Sequence, residues 1–219
     1  MNFMQAAAGN YRKGRTGSIK YIVVHYTGND GDTAFGNADY FHKNKNLQAS
    51  AHYFVDEKEV WQSVKEGDTA FHCGAKHYRH SDCRNGNAIG VELCSRKNSG
   101  DEYYFKEATV RLAADLVRSL MKKYGIDNAH ILRHYDVTGK NCPAPFVEDD
   151  AAWKKFLNCL RGEEEVEKQI TIKLNGVTKQ VSAIEKGGYN YIKLQDLRDG
   201  KIEVDYDEVP IVKVKQVYC

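Results

Sequence analysis

Hydrophobic positions along the chain change period from one segment to the next. Tyr21–Thr27 (YIVVHYT) is a β-branched and aromatic run that reads as a buried strand. Turn residues follow at Asn29–Asp32. Asp32 or Thr33 can then cap a helix reaching about Lys45, with Phe35, Ala38 and Phe41 or Tyr40 on its inner face. Ser50–Asp56 and Val60–Val64 read as a hairpin closed by the charged turn Glu57–Glu59. Gly67–Asn87, rich in Gly, His, Asp and Asn, reads as a long irregular loop of the kind that carries function. Ala88–Cys94 (AIGVELC) is a second apolar strand. Between Phe105 and Tyr124, Val110, Ala113, Val117, Leu120 and Met121 recur at helical spacing until Gly125 ends the pattern. His130–Arg133 reads as a short strand, and Val147–Leu160 as a helix with Trp153, Phe156, Leu157 and Leu160 inward. This order of strands and helices predicts an α/β domain, a mixed central sheet flanked by helices.

Beyond Leu160 the pattern shifts. Arg161–Lys168 (RGEEEVEK) is a charged run that reads as a linker. Short β patterns come next: Ile170–Leu174, Val177–Val181, Tyr189–Ile192, Ile202–Val204 and Ile211–Val217. Turns at Asn175-Gly176, Gly187-Gly188 and Asp199-Gly200 separate them, and Leu194–Arg198 can form one helical turn. The expected division is therefore a domain over 1–160, a linker over 161–168 and a small, mostly β module over 169–219.

Composition narrows the function classes. With 42% hydrophobic and 28% charged residues, the 219-residue chain is not of the disordered class. Lys and Arg exceed Asp and Glu by only 2, so no nucleic-acid partner is expected. No apolar stretch of ~20 residues occurs, so no membrane insertion is expected. Residues 1–20 lack the apolar core of a signal peptide, which leads to an expectation of synthesis in the cytosol with reduced thiols. The six cysteines show no CxxC spacing, and most are expected to be small buried residues rather than a disulfide framework.

Against that background three residues attract attention. His25 lies near the end of the first strand, His134 at the end of the strand from His130, and Cys142 eight residues later. Two imidazoles and a thiolate form a borderline-soft set suited to Zn²⁺, and three protein ligands leave one tetrahedral position open, as in a catalytic site. Spacing alone leaves the plainer reading open: a core histidine, a loop histidine and a buried thiol.

The segments YIVVHYT, SAHYF, NAIGVELC and ILRHYDVTGKNCPAP, in that order, resemble the zinc-dependent N-acetylmuramoyl-L-alanine amidases of type 2, a family that includes phage lysis amidases and peptidoglycan recognition proteins. The resemblance covers about residues 15–160. It implies that His25, His134 and Cys142 hold one Zn²⁺, and that the substrate is the amide between N-acetylmuramic acid and L-alanine of peptidoglycan. Glu92, an acid in an otherwise apolar strand, is then the expected general acid/base, and desolvation there would raise its pKa usefully. Lys140, two residues before Cys142, is expected to stabilise the developing oxyanion. His72, in an aromatic-His-x-Gly stretch, is expected beside the cleft, where it could contact substrate. One branch of the family carries Tyr before the second-motif histidine. Here that residue is Ala51, which adds weight to Glu92. Cys73 and Cys83 are expected to be structural or incidental, and His77, His80 and Cys83 match no compact zinc motif.

The C-terminal module resembles the small β domain called copper amine oxidase-like, though no His follows His134 to make a copper site. It is expected to serve as a stabilising appendage, or for wall attachment or homodimerisation. An endolysin released to the wall through a separately encoded pore fits these features. The alternatives are a non-catalytic peptidoglycan-binding protein and a zinc peptidase of other substrate.

Overall fold

The computed structural model describes residues 1–161 and, beyond them, 167–174, 177–186, 189–192, 194–198, 202–207 and 209–214. Most of the expected linker, the three expected turn pairs of the C-terminal module and the end of its last strand lie outside the described residues. The chain divides into two compact units, Met1–Arg161 and Gly162–Cys219.

The first unit is built on six strands, β1 (Asn2–Phe3), β2 (Tyr21–Tyr26), β3 (Tyr53–Val55), β4 (Val60–Gln62), β5 (Ala88–Leu93) and β6 (Ile131–Arg133). Their order across the sheet is β1-β4-β3-β5-β2-β6. β3, β5, β2 and β6 run parallel to their neighbours, while β3 and β4 form the antiparallel hairpin expected from the pattern. The sheet is therefore mixed. Its central strands are buried on both faces, which is why YIVVHY and AIGVEL read as nearly continuous apolar runs.

Side-chain alternation sorts the two faces. Ile22, Val24, Ile89, Val91 and Leu93 point into a core formed with helix α2 (Glu107–Tyr124) and helix α5 (Asp150–Leu160), which contribute Ala113, Val117, Leu120, Trp153, Phe156 and Leu160. Gly125 ends α2 in the left-handed conformation, φ 66°, as its position in the sequence suggested. The opposite face carries Tyr21, Val23, Ala88, His25, Gly90 and Glu92. Of that set Tyr21, Val23 and Ala88 pack with apolar residues beyond the strands, among them Cys73, Cys83 and Val137.

Two expectations need correction. Helix α1 (Ala34–Lys43) is capped by Thr33, whose side chain accepts the Gly36 N–H. That start puts Ala34, Ala38 and Phe41 in line at i, i+4 and i+7. Phe35, expected inside, is 46% exposed, and of the alternatives Phe41 and Tyr40 it is Phe41 that packs inward while Tyr40 is 52% exposed. The helix expected over Val147–Leu160 is interrupted: α4 (Ala144–Val147) ends, and Asp149 starts α5 by accepting the N–H groups of Ala151 and Ala152 at 3.0 Å each. Helix α3 (His134–Thr138) lies directly after β6.

In the second unit, strands Glu167–Leu174, Val177–Lys186 and Tyr189–Ile192 make an antiparallel sheet, and Ile202–Asp207 pairs with Val209–Val214. Val181 and Leu197 are buried, with Ile170, Ile172, Leu174 and Ile192 packed around them. The Asp196 carboxylate accepts the Ser182 N–H at 3.0 Å and ties the short helical turn to the sheet.

Candidate metal centre and cleft

Three parallel strands end at one edge of the sheet, and each delivers a functional side chain there. β2 brings His25, β5 brings Glu92 directly opposite it in register, and β6 leads into His134. Crevices at the carboxyl ends of parallel strands are the usual binding positions in such sheets. His134 is held at the first position of α3 by its neighbour. Arg133 makes a forked pair with Asp136, Nε–H to Oδ2 at 3.0 Å and Nη2–H to Oδ1 at 2.9 Å, while Asp136 also accepts the Arg133 backbone N–H. Gly139 ends α3 in the left-handed region, φ 84°, and turns the chain back. The Tyr135 N–H then reaches the Cys142 carbonyl at 2.8 Å, so the loop carrying Cys142 is stitched to the helix carrying His134.

The result is a cluster in which one ligand atom each from His25, His134 and Cys142 lies within 4.8 Å of the others, with all three residues buried. Cys142 Sγ is 3.7 Å from His25 Nδ1, and Glu92 Oε1 is 3.9 Å from the same nitrogen. His25 Nε2 is engaged with His72 Nδ1 at 3.0 Å. Three buried polar atoms here have no hydrogen-bond partner: His134 Nδ1, His72 Nε2 and Glu92 Oε2. Buried polar groups are nearly always satisfied, so this concentration of orphans marks a place built for something else to occupy.

The electrostatics agree. Burial holds His25 well below the ordinary histidine value, with His72, His134 and Lys140 adding to the effect. Burial likewise brings His134 down to about 4. Both imidazoles are thus neutral at pH 7, the form that ligates metal. Burial pushes the Glu92 carboxyl up to about 8, against the pull of the Lys140 ammonium and with Asp32 assisting the rise. Burial, then the nearby Glu92, pushes the Cys142 thiol up to about 12. A cation at this point would be met by one thiol, two neutral imidazoles and a carboxyl.

The cluster opens onto a cleft of about 1040 Å³, bordered by Phe71, His72, Gly74, Asn85, His134 and Lys140 among others. Lys140 is exposed at the cleft's rim, and the half-buried Glu92 stands against His25 in the cluster. The structure brings together every residue singled out in the sequence: His25, His134 and Cys142 in the cluster, Glu92 against it, Lys140 and His72 on the cleft.

Three supporting residues were not assigned from sequence. Gly90 is required because a Cβ there would lie 2.5 Å from His72 Cγ; the imidazole that holds His25 rests on bare backbone. His52 lies beneath, accepting the Gly90 N–H at Nδ1 (3.0 Å), with its Nε2 2.7 Å from Arg15 Nη2. Asn85, within the stretch read from sequence as an irregular loop, accepts the backbone N–H groups of His72 (3.1 Å) and Cys73 (2.8 Å) through Oδ1 and so fixes the cleft wall. The only sequence signal for these was a glycine inside an apolar strand and an asparagine in a long loop. His80, by contrast, is spent locally: its Nδ1 accepts the N–H groups of Asp82 and Cys83.

Residues 15–145 match the family described as N-acetylmuramoyl-L-alanine amidase. N-acetylmuramoyl-L-alanine amidase CwlL of Bacillus licheniformis is 36% identical over 181 residues, covering 78% of this chain and 49% of the relative. The chain thus spans about half the length of that curated relative. Among solved structures, PlyL superposes with a TM-score of 0.59 at 27% identity, covering 73% of this chain and 97% of that one. A mutant endolysin from Bacillus subtilis superposes with a TM-score of 0.58 at 27% identity, covering 72% and 97%. With the family match extending over β2 to α4 and including every residue of the cluster, this chain belongs to the N-acetylmuramoyl-L-alanine amidase family.

Proposed function

We propose that the chain is a zinc-dependent peptidoglycan hydrolase cleaving the amide between N-acetylmuramic acid and the L-alanine of the stem peptide. The observation that carries this reading is the convergence of two neutral imidazoles and a thiol, with an unpartnered His134 nitrogen and an unpartnered Glu92 oxygen, on a cleft in a chain of this family. His25 through Nδ1, His134 and Cys142 would hold the metal, and three protein ligands leave a position open. Bound there, Zn²⁺ supplies a Lewis acid that polarises a carbonyl oxygen and acidifies water at neutral pH.

The remaining work falls to this chain's own groups. With Nδ1 facing the metal, His25 carries its proton on Nε2 and donates it to His72 Nδ1, which fixes the ring's tautomer and aim. Glu92 accepts a proton from the attacking water and returns it to the departing amine nitrogen; a carboxyl poised well above its ordinary value is suited to both transfers. The Lys140 ammonium faces the oxygen that gains charge as water attacks. His72, on the cleft wall, would contact the substrate.

The second unit is read as a wall-attachment or pairing module, and the whole as an endolysin that reaches the wall through a separately encoded pore. Among the described residues no helix is long and apolar enough to cross a membrane.

The direct test is to incubate the zinc-loaded protein with purified walls and measure new L-alanine amino termini alongside freed muramic lactyl groups. Both should appear together; release of neither from any wall chemotype excludes the hydrolase reading. Removal of residues after Arg161 should weaken retention on walls or reduce the mass in solution. If it does neither, both roles of the second unit are excluded.

A further inference from the structure

The cleft wall between β4 and β5 holds two cysteines that the mechanism does not use. Cys73 and Cys83 are both wholly buried, in one small cluster with Tyr21, Val23, Ala88 and Val137. Both pack in that cluster as free thiols. Neither position is incidental. The Asn85 Oδ1 accepts both the Cys73 N–H and, at 3.2 Å, its thiol, so the Cys73 sulfur is aimed. The Cys83 N–H is held by His80 Nδ1 at 2.9 Å, and its carbonyl accepts the Arg84 guanidinium at 2.6 Å. Arg84 in turn lies 3.7 Å from the centre of the Tyr78 ring, in the segment between the two cysteines. Both ends of that segment are therefore pinned in one buried cluster, so bringing the ends of the loop together, the costly part of forming a cross-link, is done by the fold.

We propose that Cys73 and Cys83 are a redox-sensitive cross-link site that closes residues 73–83 into a covalent loop on the cleft wall. The co-reactant is a low-molecular-weight disulfide. The Cys73 sulfur, as thiolate, attacks one sulfur of that disulfide and expels the other half as a thiol, taking up the cysteine's proton. Cys83 then attacks the Cys73 sulfur of the mixed disulfide, and the second small thiol leaves with the Cys83 proton. Two protein thiols are oxidised and one small disulfide is reduced to two thiols. The two cysteines are not equivalent: Cys73 lies between His72 and Gly74, which both line the cleft, whereas the neighbours of Cys83 do not. Cys73 is thus the attacking residue.

The location gives the cross-link a consequence. Cys73 follows His72, which holds His25, and Phe71, His72, Gly74, Ala75 and Asn85 all border the cleft. An oxidising medium would lock this wall in the arrangement that holds His25; a reducing one would leave it to non-covalent contacts alone.

The experiment equilibrates the purified full chain, zinc-loaded, with glutathione mixtures from fully reduced to fully oxidised. Samples are quenched in acid, alkylated in denaturant and mapped by mass spectrometry. The oxidised arm should yield a peptide pair joining residues 73 and 83, two hydrogens lighter, while Cys94 remains alkylated. The melting temperature should rise by about 5–10 °C, reversibly with reductant, as expected for closing a short loop. The double variant Cys73→Ala, Cys83→Ala should show no redox-dependent shift. The proposal is overturned if both cysteines remain alkylatable in the most oxidising mixture even at a urea concentration that opens the loop. Pairing of either with another cysteine, or a cross-link that lowers the melting temperature, overturns it equally. None of these readouts depends on the hydrolase reading.

Discussion

The two faces of the central sheet are made by alternate residues of the same strands, yet they obey different rules. On one face Ile22, Val24, Ile89, Val91 and Leu93 meet α2 and α5 in a continuous apolar core. On the other, His25 and Glu92 occupy equivalent strand positions, and within a few ångströms of them lie three orphaned polar atoms. One face supplies stability through burial, at ~25 cal/mol per Å² of apolar surface. The other holds three histidines and a carboxyl away from water, which costs stability in the metal-free chain and is tolerated only because the first face is so well packed. Chemistry and stability are separable here by side-chain parity alone.

Four substitutions test that separation. The largest effect is expected from Glu92→Gln, which should lower turnover by about 10²–10⁴-fold while zinc content and melting temperature stay near wild type. A near-native rate would remove Glu92 from its role. Across the sheet, Phe156→Ala should cost about 3–5 kcal/mol of stability by chemical denaturation, with the folded fraction retaining its metal. Selective loss of metal from folded protein would show that the faces are coupled.

Gly90→Ala probes the boundary between them. The added methyl must displace the His72 ring, so His25 loses the partner on its Nε2. Metal affinity should fall about 10–100-fold by competition with a chelator, with a smaller change in stability. Unchanged affinity would mean that His72 does not orient His25.

The smallest effect concerns Glu66, whose carboxylate gathers the hydroxyls of Tyr53 and Tyr124 and the Lys123 ammonium beside the apolar core. Burial alone would raise its pKa, but the hydrogen bonds from Lys123, Tyr124 and Tyr53 outweigh it and hold the carboxyl below the ordinary value. A carboxylate with a lowered folded-state pKa contributes stability that is fully present above its unfolded value. That contribution is lost as pH falls through the folded value. Glu66→Gln should therefore flatten stability against pH in the acid range below about pH 4.5, measured by urea titration at several pH values. An unchanged acid slope would place the acid sensitivity elsewhere.

Much of this was legible in the sequence because strands, caps and helix periods are local properties. YIVVHY and AIGVEL announce strands buried on both faces, Gly125 announces a helix end, and an acid within GVELC announces a polar group where packing wants none. The misreadings were local too. Phe41 falls on the buried line of Ala34 and Ala38, whereas Phe35 lies one residue, about 100°, around the helix from Ala34 and faces out.

What the sequence by itself determined is the set of elements, the family to which their order and motifs belong, and the short list of residues able to do chemistry. The tertiary structure alone decided which distant residues touch. His25 and Cys142 are 117 residues apart and meet at 3.7 Å because parallel strands end at a common edge. Gly90 matters only because the His72 ring crosses it, and Cys73 and Cys83 become a pair only because both ends of a loop are tied down. Periodicity records the environment each residue prefers, whereas contacts between residues far apart in the chain depend on strand order and register, which the local pattern does not encode.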